Sequence, residues 1–195
     1  KTFYFNSPSP CTDCFLTNIH LNSNPPNSIQ HVLISNLEKD SQTCNLQPEP
    51  IITTTSSPLS LNGRSKTGYY ISNSSTTPLV FSGEINSPDG KEVFLEVDWE
   101  YIPGSSAEAE GFKSLTPIWL DLDGVCSLRN SRVPPVSVSG QITSITMDPA
   151  WKSDISGEVV LFGGELSNNN GGILLDLTRN GQVICEITTG QEEEG

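Results

Sequence analysis

Histidine and methionine are nearly absent from this chain: its 195 residues include two histidines, His20 and His31, and one methionine, Met147. Imidazole is the commonest general base and transition-metal ligand. A Ser-His-Asp triad therefore has little to draw on, and there is no Gly-x-Ser-x-Gly elbow to carry a nucleophile. Basic residues are also few, ten against 23 acidic ones, for a net charge of −13. A field of that sign opposes approach to phosphate and argues against nucleic acid or an anionic membrane as partner. No window approaches the roughly 18 apolar residues of a membrane-spanning helix. The opening Lys1-Thr2-Phe3-Tyr4-Phe5 lacks the apolar stretch and small-residue cleavage site of a secretory signal, so a secreted protein with this start is expected to be in its mature form.

What is present suits many short strands joined by turns. Hydrophobic residues make up 34% and charged residues 17%, with 16 glycines and 14 prolines. Strand-like runs occur at Phe15 to Leu21, Gln30 to Leu37, Tyr69 to Ser72, Leu79 to Ile85 and Val93 to Tyr101. Further runs follow at Ile118 to Leu122, Val136 to Ile145, Glu158 to Phe162, Ile173 to Leu177 and Val183 to Ile187. Asn180-Gly181 separates the last two and predicts a β-hairpin. The expected fold is all-β, an antiparallel β-sandwich built as two packed halves, residues 1–103 and 104–195, or as one continuous domain. Gln47 to Leu61, rich in Pro, Ser and Thr, and the polar Gly104 to Glu110 are expected to be loops.

Five cysteines, Cys11, Cys14, Cys44, Cys126 and Cys185, point to an oxidising compartment. Two disulfides are expected, one joining Cys44 to Cys14 or to Cys11 and one joining Cys126 to Cys185. The Cys11-Thr12-Asp13-Cys14 spacing is also that of zinc ribbons and redox sites, but no second pair and no βαβ unit accompany it. Asn73-Ser74-Ser75 is the single N-glycosylation sequon, so Asn73 is the expected acceptor.

Within Val93 to Tyr101, Leu95, Val97, Trp99 and Tyr101 fall on one pleat face and Glu96, Asp98 and Glu100 on the other. Carboxylates about 7 Å apart along a strand are too widely spaced to share one ion unaided, and a solvated face is the expectation. Trp99 and Trp119 are expected in the core. Ser167-Asn168-Asn169-Asn170-Gly171-Gly172 is rich in amides and tolerant of left-handed backbone, which makes Asn168, Asn169 and Asn170 candidate ligand-binding residues.

Several motifs in order suggest a relationship. Asp98-Trp99-Glu100-Tyr101-Ile102-Pro103-Gly104, Pro117-Ile118-Trp119-Leu120-Asp121-Leu122-Asp123-Gly124-Val125-Cys126 and Asn180-Gly181-Gln182-Val183-Ile184-Cys185 resemble the signature of the stress-up-regulated nodulin family and its fungal secreted relatives. Pro10-Cys11-Thr12-Asp13-Cys14-Phe15-Leu16-Thr17, Gly68-Tyr69-Tyr70 and Gly83-Glu84-Ile85-Asn86 are similar to its first half. The resemblance implies a double β-sandwich like that of type 2 copper monooxygenases, and native sequence continuing past Gly195. Copper there requires several imidazoles. The His-His position resembles Gln30-His31, which keeps one, and the His-x-His stretch resembles Gly164 to Gly172, which keeps none.

Two histidines cannot furnish a two-copper site. His31 is the candidate remnant ligand, with His20 brought near it by a hairpin of the first two runs and with Asp13 or Glu165 completing a site for copper or zinc. The expectation is a secreted, extracellular or cell-wall-associated protein that is non-catalytic, holds no cofactor, and binds a glycan, cell-wall component or extracellular protein. The alternative is a one-metal copper-dependent oxidoreductase or metal-binding protein using His31.

Overall fold

In the computed structural model, the residues described are 2–26, 28–43, 47–54, 59–61, 66–72, 78–86, 90–120, 136–139, 142–145, 155–162 and 174–188. Among the described residues, nine strands lie in the first two thirds: β1 (Thr2–Pro8), β2 (Cys14–Asn24), β3 (Ile29–Asp40), β4 (Pro48–Thr54), β5 (Leu59–Ser60), β6 (Thr67–Ile71), β7 (Pro78–Ile85), β8 (Phe94–Pro103) and β9 (Lys113–Ser114). Two hairpins follow, β10 (Val136–Ser139) with β11 (Ile142–Ile145), and β12 (Leu174–Arg179) with β13 (Gln182–Thr188). One 3₁₀ turn, Ala107–Ala109, is capped by the Ser106 hydroxyl accepting from the Ala109 N–H. The architecture is an all-β sandwich.

The first sheet runs β1-β7-β3-β4, and the second runs β5-β2-β6-β9 with β8 also paired to β2. β2 and β8 form the longest ladder, from Cys14↔Pro103 to Asn24↔Phe94. Period-two patterning explains the packing. Leu16, Ile19 and Leu21 of β2 and Tyr69 and Ile71 of β6 point inward from the second sheet. Val32 and Ile34 of β3, Ile52 of β4, and Leu79 and Phe81 of β7 meet them from the first. Phe81 and Trp99 touch edge to face across the interior, ring centroids 6.3 Å apart. Each fully buried side chain contributes roughly 1.5–3 kcal/mol.

One expectation about loops is corrected. Gln47 to Leu61 is not a loop throughout: Pro48–Thr54 is a strand, and Ile51, Ile52 and Leu61 are buried. β4 lies at the edge of its sheet, where a proline's missing N–H breaks no ladder. The N-terminal strand β1 was not anticipated, although Phe3 and Phe5 alternate and stack on each other, and Phe5 stacks on Phe81. Glu158 to Phe162 and residues 118–120 carry no strand pairing. The predicted hairpin is present, with Asn180 at φ 53° and Gly181 at φ 78° supplying a two-residue turn.

Candidate functional site

β2 and β8 together present a polar row on the outer face of the second sheet. Ile19 and Leu21 are buried, so the intervening His20 faces outward, as do Asn18 and Asn22. On β8, Leu95, Val97 and Trp99 pack against the core while Glu96, Asp98 and Glu100 are exposed, as the pleat predicted. The register pairs Asn18 with Glu100, His20 with Asp98 and Asn22 with Glu96. Tyr101 departs from the expected inward set and is 46% exposed, beside a register shift between Leu16 and Asn18. Thr17, at that shift, donates its hydroxyl to the Glu100 carbonyl at 3.2 Å.

Asn18, His20, Asp98 and Glu100 line a cleft of about 220 Å³. His20 Nδ1 stands 3.8 Å from Asp98 Oδ2, both side chains well exposed. Such a pair contributes at most ~1 kcal/mol. Asn18 is different: its Oδ1 is buried and has no hydrogen-bond partner. An orphaned buried acceptor costs roughly 1–3 kcal/mol. Phe94, 61% exposed, stands on the same outer face at the start of β8.

The two histidines do not converge. β2 and β3 do not pair with each other: β3 pairs β7 and β4, and β2 pairs β5, β6 and β8. His20 and His31 therefore lie on the outer faces of different sheets, with the core between them. His31 sits opposite Glu84 of β7. Among the described residues, no group of three or more His, Cys, Asp and Glu side chains is arranged to hold a metal ion. Asp13 is occupied elsewhere, and Glu165 lies outside the described residues.

The first disulfide is also corrected. Cys14 bonds to Cys11, not to Cys44. Asp13, at φ 48°, turns the chain back so that the two Cα atoms come within 6.2 Å, inside bridging range. Tyr70 donates its hydroxyl to Asp13 Oδ1 at 2.8 Å. That hydrogen bond is the main cause raising the Tyr70 phenol above its usual value. Cys185 is a free, half-buried thiol. Its expected partner Cys126, together with Cys44, Asn73 and Asn168 to Asn170, lies outside the described residues.

Comparison with family models, with curated proteins and with solved structures finds no match to this chain.

Proposed function

We propose that the chain is a secreted, non-catalytic binding module, extracellular or cell-wall associated, on a scaffold resembling a copper monooxygenase that has lost its ligands. Its ligand is a hydroxyl-rich glycan of a cell wall or of an extracellular glycoprotein, taken up on the outer face of β2 and β8. One observation carries this reading: the polar cleft that Asn18, His20, Asp98 and Glu100 line on that face, with the buried Oδ1 of Asn18 left unpartnered. Sugar hydroxyls are donors that an amide oxygen and carboxylates can accept from, and an exposed ring such as Phe94 offers an apolar face to a pyranose. The Cys11–Cys14 bond and the Asn73 sequon are in keeping with an oxidising, glycosylating compartment.

Retention on insoluble cell-wall polysaccharide tests the proposal. The wild-type protein is expected to be retained and the Asp98→Ala/Glu100→Ala double variant to wash through. Equal retention of the two would move the ligand away from this face.

A second reading, a one-metal copper or zinc protein, draws on the pairing of His31 with Glu84. Near-stoichiometric metal on protein purified without chelator, lost on His31→Ala, would favour it over the first.

A further inference from the structure

We propose that the Cys11–Cys14 pair is a thiol–disulfide exchange site, oxidising an incoming dithiol while the surrounding sandwich stays folded. This stands apart from the glycan reading and uses none of the residues that line its cleft.

The two sulfurs are unequally placed. Cys14 opens β2 with no exposed surface, locked in register opposite Ile71 and Pro103. Cys11 is half-buried and lines an open groove of about 540 Å³ with Ser7, Pro8, Ser9 and Thr12. A thiolate arriving from solvent therefore meets Cys11 first, and among the described residues that line the groove none carries a charge to repel an anion.

The turn is held without the sulfurs. Gly104 N–H donates to the Asp13 carbonyl at 2.6 Å, Asp13 N–H to the Ser72 carbonyl at 3.3 Å, and the Tyr70 hydroxyl to Asp13 Oδ1. The Ser9 hydroxyl donates to the Cys11 carbonyl at 2.8 Å. Closing a loop of three-residue separation removes little freedom from the unfolded chain, because loop entropy grows with loop length. The bond thus adds little to stability, and its opening leaves Cys14 anchored in β2 and Cys11 in the groove.

The exchange follows from this asymmetry. A thiolate of the dithiol attacks Cys11 Sγ, forming a mixed disulfide and breaking the Cys11–Cys14 bond. The electron pair passes to Cys14 Sγ, which takes up a proton, as burial favours the neutral thiol. The second thiol of the dithiol then attacks its own chain's sulfur in the mixed disulfide, releasing Cys11, which is protonated in turn. The dithiol loses two electrons and two protons, and the pair gains them.

The test treats the intact, native protein with dithiothreitol and traps thiols with an alkylating reagent, located by peptide mass spectrometry. Two labels on the Cys11 to Cys14 peptide are expected, with Cys11 modified on the order of tenfold faster than Cys14, unchanged circular dichroism, and reclosure by oxidised glutathione. A bond that opens only in denaturant, or whose opening unfolds the chain, would overturn the proposal. Cys14→Ser should accumulate a glutathione adduct at Cys11; should that variant fail to fold, the wild-type labelling rates still decide, and equal rates at the two sulfurs count against the exchange.

Discussion

The hydroxyl of Tyr69 donates a 2.6 Å hydrogen bond to Oε2 of Glu49, tying β6 of one sheet to β4 of the other through the interior. Asn36 of β3 donates its amide to the same hydroxyl at 2.8 Å, and Lys39 Nζ lies 3.9 Å from Glu49 Oε2 and 4.5 Å from the centre of the Tyr69 ring. Tyr69, Asn36 and Glu49 are all buried. Removing the phenol oxygen takes the short hydrogen bond from the Glu49 carboxylate, which keeps Lys39 Nζ at 3.9 Å, and takes the acceptor from the Asn36 amide. Tyr69→Phe is expected to cost roughly 1–3 kcal/mol, since both groups that lose a hydrogen bond are buried and one is charged. Urea denaturation measures it; a loss under about 0.5 kcal/mol would show that the network does not join the sheets.

The same network sets an alkaline limit. Burial, then the hydrogen bond and charge of Glu49, push the Tyr69 phenol far above its ordinary value of 10.0, against a smaller lowering by Asn36. The folded state thus holds a proton that the unfolded state releases. The contribution is fully present below the ordinary phenol value and is lost as pH rises above it toward the folded value. Denaturation midpoints are expected to fall from about pH 10 upward, more steeply in the wild type than in Tyr69→Phe. Equal slopes would contradict the assignment.

Gly104 has no room for a side chain. A Cβ there would stand 2.5 Å from Asp13 Oδ1 and 2.9 Å from the Asp13 carbonyl. Gly104→Ala should displace the Asp13 turn and cost about 1–3 kcal/mol. Thermal denaturation with the Cys11–Cys14 bond intact would check this.

His20 and Asp98 form an exposed pair, so its removal should be nearly silent for the fold. Asp98→Asn is expected to change stability by less than ~0.5 kcal/mol. A larger loss, read by the same denaturation, would make the cleft a structural device and weaken the binding proposal.

Much of this fold is legible from pleat periodicity. The β8 pattern separated Leu95, Val97 and Trp99 from Glu96, Asp98 and Glu100, and Asn180-Gly181 marked its hairpin. β4 was hidden because Pro48 and Pro50 read as breakers, and only its edge position makes them tolerable. The candidate cleft was half visible. The carboxylate row could be read along one strand, but Asn18 and His20 join it only through pairing between segments some 80 residues apart, which no local pattern encodes. The Cys11–Cys14 bond depends on left-handed backbone at Asp13, a conformation aspartate tolerates but does not announce. The buried Tyr69–Glu49–Asn36 network carried no sequence signal, since each member sits among residues that also suit a wet surface.

Calorimetric titration of cell-wall oligosaccharides into wild-type protein and into Asn18→Leu tests the central claim most directly. Replacing an orphaned buried acceptor by an apolar group of similar size should leave stability unchanged or raise it, while the cleft loses one of its polar lining side chains. The account predicts wild-type binding and at least tenfold weaker binding by a stably folded Asn18→Leu. Equal affinity in the two proteins, or no oligosaccharide bound by the wild type, would contradict it.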